Sequence, residues 1–119
     1  YDLTDPATLA DVEENGIEIP QGDIARLIVK DNPRDAYKWR VNRDDDVLKG
    51  RIKIEKLFLD IGDEDDPTGE TQLKVTAINP GTTRVKAAYQ TRKKFLGFTR
   101  LTARDIDIPI RVLRRDAIP

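Results

Sequence analysis

Five carboxylates crowd into seven consecutive positions of this chain: Asp60, Asp63, Glu64, Asp65 and Asp66. Hard oxygen donors at that density are what Ca²⁺ would take. Their spacing does not follow the EF-hand pattern, in which ligands alternate around a glycine at the sixth position. Acids clustered in a surface loop are ordinarily solvated; that is the plainer reading, and no metal site is assigned. The chain has no His and no Cys. Cys nucleophiles, His general bases, disulfides and zinc sites built on thiolate or imidazole are therefore excluded. No glycine-rich phosphate loop is present, and nothing sets two carboxylates across a cleft for acid–base work. The residue types point away from an enzyme and imply no cofactor.

A second charged run, Arg92-Lys93-Lys94-Phe95-Leu96-Gly97-Phe98, mixes cations with aromatics. Such a mixture suits phosphates and stacked bases. It also describes a hairpin tip with Lys in water and Phe95 or Phe98 on the sheet, or an aromatic anchor for a protein partner. With 21 Lys and Arg against 22 Asp and Glu, a net charge of −1 favours no nucleic acid or membrane partner. Charge is nonetheless unevenly placed. Residues 1–23 hold Asp2, Asp5, Asp11, Glu13, Glu14, Glu18 and Asp23 and no cation, whereas residues 82–104 hold only cations. The division reads as acidic and basic surfaces that attract each other within the fold.

The elements that must position these runs are mostly strands. Asp5 as N-cap, Pro6 as first helical residue and Gly16 as stop predict a short helix, with a frayed extension as the alternative. Ile17 and Ile19 alternate ahead of the turn Pro20-Gln21-Gly22. In residues 24–30, Ala25, Leu27 and Val29 share one face, while Ile24, Arg26, Ile28 and Lys30 share the other. Because neither face is cleanly polar, this strand is expected inside a sandwich rather than at a solvated edge. Asn32-Pro33 then breaks regular structure before a strand that carries the only Trp, Trp39. Mid-strand between Tyr37 and Val41, Trp39 reads as a core residue. Ile52 and Ile54 alternate up to Leu57-Phe58-Leu59, residues 60–70 read as a loop, and Leu73, Val75 and Ala77 alternate again. Asn79-Pro80-Gly81 is a turn, Val85, Ala87 and Tyr89 form a strand, and a basic connection spans residues 90–104. Ile106, Ile108, Ile110 and Val112 close the series at period two, with Pro109 marking an edge or a bulge. About seven strands with little helix predict an all-β, immunoglobulin-like antiparallel sandwich over residues 17–119, preceded by an acidic extension, residues 1–16. One domain is expected at 119 residues. No apolar run approaches membrane-spanning length, so no membrane insertion is expected. Opening on Tyr1 and holding no Met, the chain reads as a processed product or a piece of a longer one.

Gly22-Asp23, the strand at 24–29, and Asn32-Pro33-Arg34-Asp35-Ala36-Tyr37-Lys38-Trp39 share the spacing of a known family. So do Gly69 ahead of the strand at 71–75, Asn79-Pro80-Gly81-Thr82, and Tyr89 followed by Arg92 and Phe95. The pattern resembles the chagasin-like inhibitors of papain-family cysteine peptidases and covers about residues 17–113. Where that family carries Asn-Pro-Thr-Thr-Gly, this chain has Arg34 and Asp35 for the threonines and Ala36 for the glycine. Gly69 alone remains of the Gly-x-Gly-Gly motif, and Arg92 with Phe95 stands in for Arg-Pro-Trp. The resemblance implies an immunoglobulin-like sandwich that wedges three loops into a peptidase cleft, as a monomer, secreted, periplasmic or at the cell surface. Carried over, the contact residues are Asn32, Pro33, Arg34, Asp35 and Ala36, then Thr68, Gly69 and Glu70, then Arg92, Lys93, Lys94 and Phe95. These loops, at 31–36, 63–70 and 92–98, are expected at one end of the sandwich. The partner is then a papain-like cysteine peptidase or another protein surface. A rival expectation is a structural or adhesive module of a larger secreted or surface protein, since residues 75–89 also resemble tandem bacterial immunoglobulin-like repeats.

Overall fold

Helix α1 (Pro6–Asn15) starts where the Asp5 carboxylate accepts the Ala7 amide at 3.1 Å and the Thr8 hydroxyl at 3.0 Å. Pro6 fills a helical position whose N–H would lack a partner anyway. Gly16 ends the helix at φ +76°, and a Cβ there would meet the Pro109 carbonyl oxygen at 2.8 Å. Only glycine combines that backbone with that close approach. This geometry belongs to a computed structural model of the chain, which describes residues 1–31, 37–44, 48–59, 69–91 and 102–115.

Seven strands follow among the described residues: β1 (Ile17–Pro20), β2 (Ile24–Asp31), β3 (Tyr37–Val41), β4 (Ile52–Leu59), β5 (Gly69–Ala77), β6 (Gly81–Thr91) and β7 (Thr102–Leu113). They form two sheets, ordered β1-β7-β6-β3 and β2-β5-β4. All strand pairs are antiparallel except β1 with β7, which run parallel from Ile17 opposite Ile110. Period-two alternation delivers the core. Leu27, Leu73 and Val75 from one sheet meet Val85, Ile108 and Ile110 from the other, all at most 1% exposed. The expected all-β sandwich and its short helix are both present.

Several local expectations change. Gly69 and Glu70 are not loop residues but the start of β5, opposite Asp31 and Leu59 respectively. Pairing with β2, and for Glu70 with β4 as well, overrides the loop preference of a Gly beside an acid. The basic connection shrinks to residues 92–101, because β6 runs on to Thr91 and β7 begins at Thr102. β7 is interior to its sheet, with β1 on one side and β6 on the other. Pro109 sits one residue before β1 joins β7, so the missing N–H falls where that side of β7 faces the end of α1 instead of a strand. The one register shift in the β6–β7 pairing lies at Tyr89/Gln90. β2 is not an interior strand but an outer one of its three-stranded sheet, since β5 takes the centre, and its outer face is more solvated than its composition suggests, with Ile24 47% exposed.

Residues 1–16 lie against the sandwich. The Leu3 amide donates to the Ile28 carbonyl and the Ile28 amide to the Tyr1 carbonyl, each at 2.8 Å, so the N-terminus lengthens the β2 side of its sheet. Leu3 and Val12 are buried, and burying a Val side chain stabilises by about 2 kcal/mol. Glu13 accepts the Asp107 amide at 3.3 Å, supplying an acceptor along the part of β7 that β1 does not reach.

Candidate functional site

Register decides where the chain leaves the sandwich. In the three-stranded sheet, Asp31 at the end of β2 and Leu59 at the end of β4 pair with Gly69 and Glu70 at the start of β5. In the four-stranded sheet, Tyr37 at the start of β3 pairs with Thr91 at the end of β6, beside Gln90 opposite Thr102 at the start of β7. Segment 60–68 therefore departs from and returns to one edge of its sheet, and segment 92–101 does the same in the other. Segment 32–36 joins the two sheets at that edge. Six Cα steps of about 3.8 Å limit its span to roughly 23 Å, so both sets of strand ends belong to one end of the sandwich.

The described residues around these ends are tied down. Trp39 is 3% exposed, and its ring lies 5.2 Å from that of Tyr89, tilted by 39°. This pair sits two residues inside the β3–β6 terminus. Lys56 of β4 donates from Nζ to the Trp39 carbonyl at 2.8 Å, and Arg43 Nε donates to the Ile54 carbonyl at 3.3 Å. Two cations thus tie β3 and the residues just after it to β4, the outer strand of the other sheet, where a side-chain bond also guards against strand addition. Across the β6–β7 gap, Gln90 Nε2 donates to Thr102 Oγ1 at 3.1 Å. Sequence reasoning did not single out Arg43 or Lys56; the signal was there only as Lys56 breaking the apolar alternation after Ile54.

Of the residues carried over from the family pattern, Gly69 and Glu70 are described, as backbone at the head of β5. Asn32, Pro33, Arg34, Asp35 and Ala36 lie outside the described residues, as do Thr68, Arg92, Lys93, Lys94 and Phe95. The carboxylates of 60–66 lie outside them as well. No group of three acids among the described residues could hold a metal ion. No described helix is long and apolar enough to cross a membrane.

No family model matches the chain, and no curated protein matches its sequence. Solved structures do. The cysteine protease inhibitor EhICP2 from Entamoeba histolytica superposes with a TM-score of 0.65 at 13% identity, over 82% of this chain and 85% of that one. Amebosin superposes with a TM-score of 0.58 at 18% identity, over 87% of this chain and 91% of that one. The chain has the fold of a chagasin-like inhibitor. At these identities the likeness concerns the fold, and it bears out at that level the resemblance read from the strand order, Asn32-Pro33, Trp39, Gly81 and Tyr89.

Proposed function

We propose that this protein is a non-enzymatic inhibitor of papain-like cysteine peptidases, acting through the end of the sandwich where β2, β4 and β6 finish. One observation carries the reading: in a fold shared with a cysteine protease inhibitor, the register sends the 32–36, 60–68 and 92–101 segments out from the same end. A wedge needs three adjacent loops on a rigid base, and the Trp39–Tyr89 pair with the Lys56 bridge supplies the base.

The contact set is Asn32 to Ala36, Thr68 to Glu70 and Arg92 to Phe95. Arg34 and Asp35 bring charge to a tip that the family keeps neutral, and burying charge in a cleft costs energy unless each group finds a partner. The target is therefore a peptidase whose cleft offers an acid for Arg34 and a donor for Asp35. Residual activity of papain and cathepsin L against rising inhibitor tests the proposal. Stoichiometric inhibition by uncleaved protein supports it. Full activity of both enzymes at micromolar inhibitor refutes it for these targets and favours the structural or adhesive module.

A further inference from the structure

The outer face of the four-stranded sheet holds a groove of about 570 Å³ at the end away from the three segments. Arg84 and Lys86 of β6 line it with Arg111 of β7 and Lys49 from the β3–β4 connection, over a floor that includes Pro109 and Thr82. Glu18 is the acid in its lining. Arg111 reaches Glu18 at 3.8 Å, and Arg84 holds Asp107 of β7 at 2.7 Å. Lys49 and Lys86 make no ion pair among the described residues and both are exposed, while Asp107, already held by Arg84, stands opposite Lys86 in the β6–β7 register. Four cations thus face three acids, Glu18, Asp107 and Glu13 on the Asp107 amide, in a chain whose net charge is −1. The excess is local and one-sided. Lys86 stands five residues from Thr91, about 17 Å along an antiparallel strand, so this surface is separate from the loop end.

We propose that this groove binds an extended acidic segment of a partner protein, one with a carboxylate at every second residue. Charge complementarity selects an anion, and strand geometry selects its spacing. Arg84 and Lys86 share a face two residues apart, about 7 Å, which is the same-face step of an extended peptide laid along β6. Lys49 and Arg111 line the same groove. Arg84 and Arg111 already pair with carboxylates of the chain itself, so their guanidinium groups are placed for that ligand chemistry.

The test is fluorescence anisotropy at low salt with a labelled octapeptide of alternating Ser and Glu, beside an isomer with four Ser followed by four Glu. The alternating peptide should bind more tightly, and Lys86→Glu should weaken it about fivefold, the upper range for one exposed charge pair. Lys86→Arg should retain binding. Lys53→Glu, the same charge change on the other sheet's outer face, should leave binding unchanged. Equal affinity for the two isomers, equal loss in Lys86→Glu and Lys53→Glu, or no binding of either peptide would overturn the proposal. So would tighter, Lys86-dependent binding of a heparin hexasaccharide, which would assign the groove to a sulfated glycan.

Discussion

Gly81→Ala should be among the most damaging single substitutions outside the core, and Arg51 explains why. Gly81 opens β6 with φ at +135°, a conformation that L side chains rarely adopt. A Cβ there would overlap the Arg51 side chain. Arg51 Nε donates to the Pro80 carbonyl at 3.4 Å and Nη1 to the Thr82 carbonyl at 3.2 Å, while the Arg51 carbonyl accepts the Ile78 amide at 2.8 Å. Arg51 therefore laces the β5–β6 turn to the start of β4. Backbone strain from an alanine held in this conformation costs about 1–3 kcal/mol, and the two displaced guanidinium bonds, both long, cost about 1–2 kcal/mol together. Gly81→Ala should then lose about 2–5 kcal/mol, and Arg51→Ala about 1–2 kcal/mol. Since the first change already evicts the guanidinium, adding Arg51→Ala to Gly81→Ala should cost almost nothing more. Urea unfolding followed by the buried Trp39 gives all four corners of this cycle. At about 4 °C per kcal/mol, Tm should fall on the order of 10 °C for Gly81→Ala. Additive losses would refute the reasoning, because they would mean that the two side chains never compete for the same space.

Three further outcomes are expected. Arg34→Ala with Asp35→Ala should weaken inhibition of the target peptidase, since the cleft groups that pair with the two charges are left buried and unpaired; unchanged inhibition would count against the wedge. Lys56→Ala should remove the Nζ bond that ties β4 to β3 at the Trp39 carbonyl and raise light scattering on warming, and unchanged scattering would remove Lys56 from edge protection. The Thr4 hydroxyl and amide bonded to Asp2 hold its carboxyl below the ordinary 3.8. A lowered carboxylate stabilises the fold above its unfolded value and ceases to do so as pH falls through the lowered one. The N-terminal pairing should thus hold at neutral pH and loosen in acid, read as movement of the Leu3 amide resonance from about pH 6 to about pH 2; a flat profile would exclude Asp2 from that pairing.

What the residues announced in advance follows from how far each interaction reaches along the chain. Leu73, Val75 and Ala77, or Ile106, Ile108 and Ile110, mark their strands because period-two burial is written within a few residues. Asn79-Pro80-Gly81 marks its turn for the same reason, and counting strands between turns was enough to expect three connections at one end. Gly69 and Glu70 were misread as loop because their strand character comes from Asp31 and Leu59, well upstream in the chain. The bonds from Arg43 to Ile54 and from Lys56 to Trp39 have no local period at all. Charge shows the same limit most sharply. The acidic N-terminal stretch and the cationic 82–104 run read as natural partners, yet among the described residues Glu18 pairs with Arg111 and Asp23 with Arg115. Arg84 takes its carboxylate from Asp107 across the β6–β7 register. Glu18 and Asp107 reach Arg111 and Arg84 at the groove itself, and Lys49 and Lys86 are the cations left over there, in a chain of nearly balanced charge.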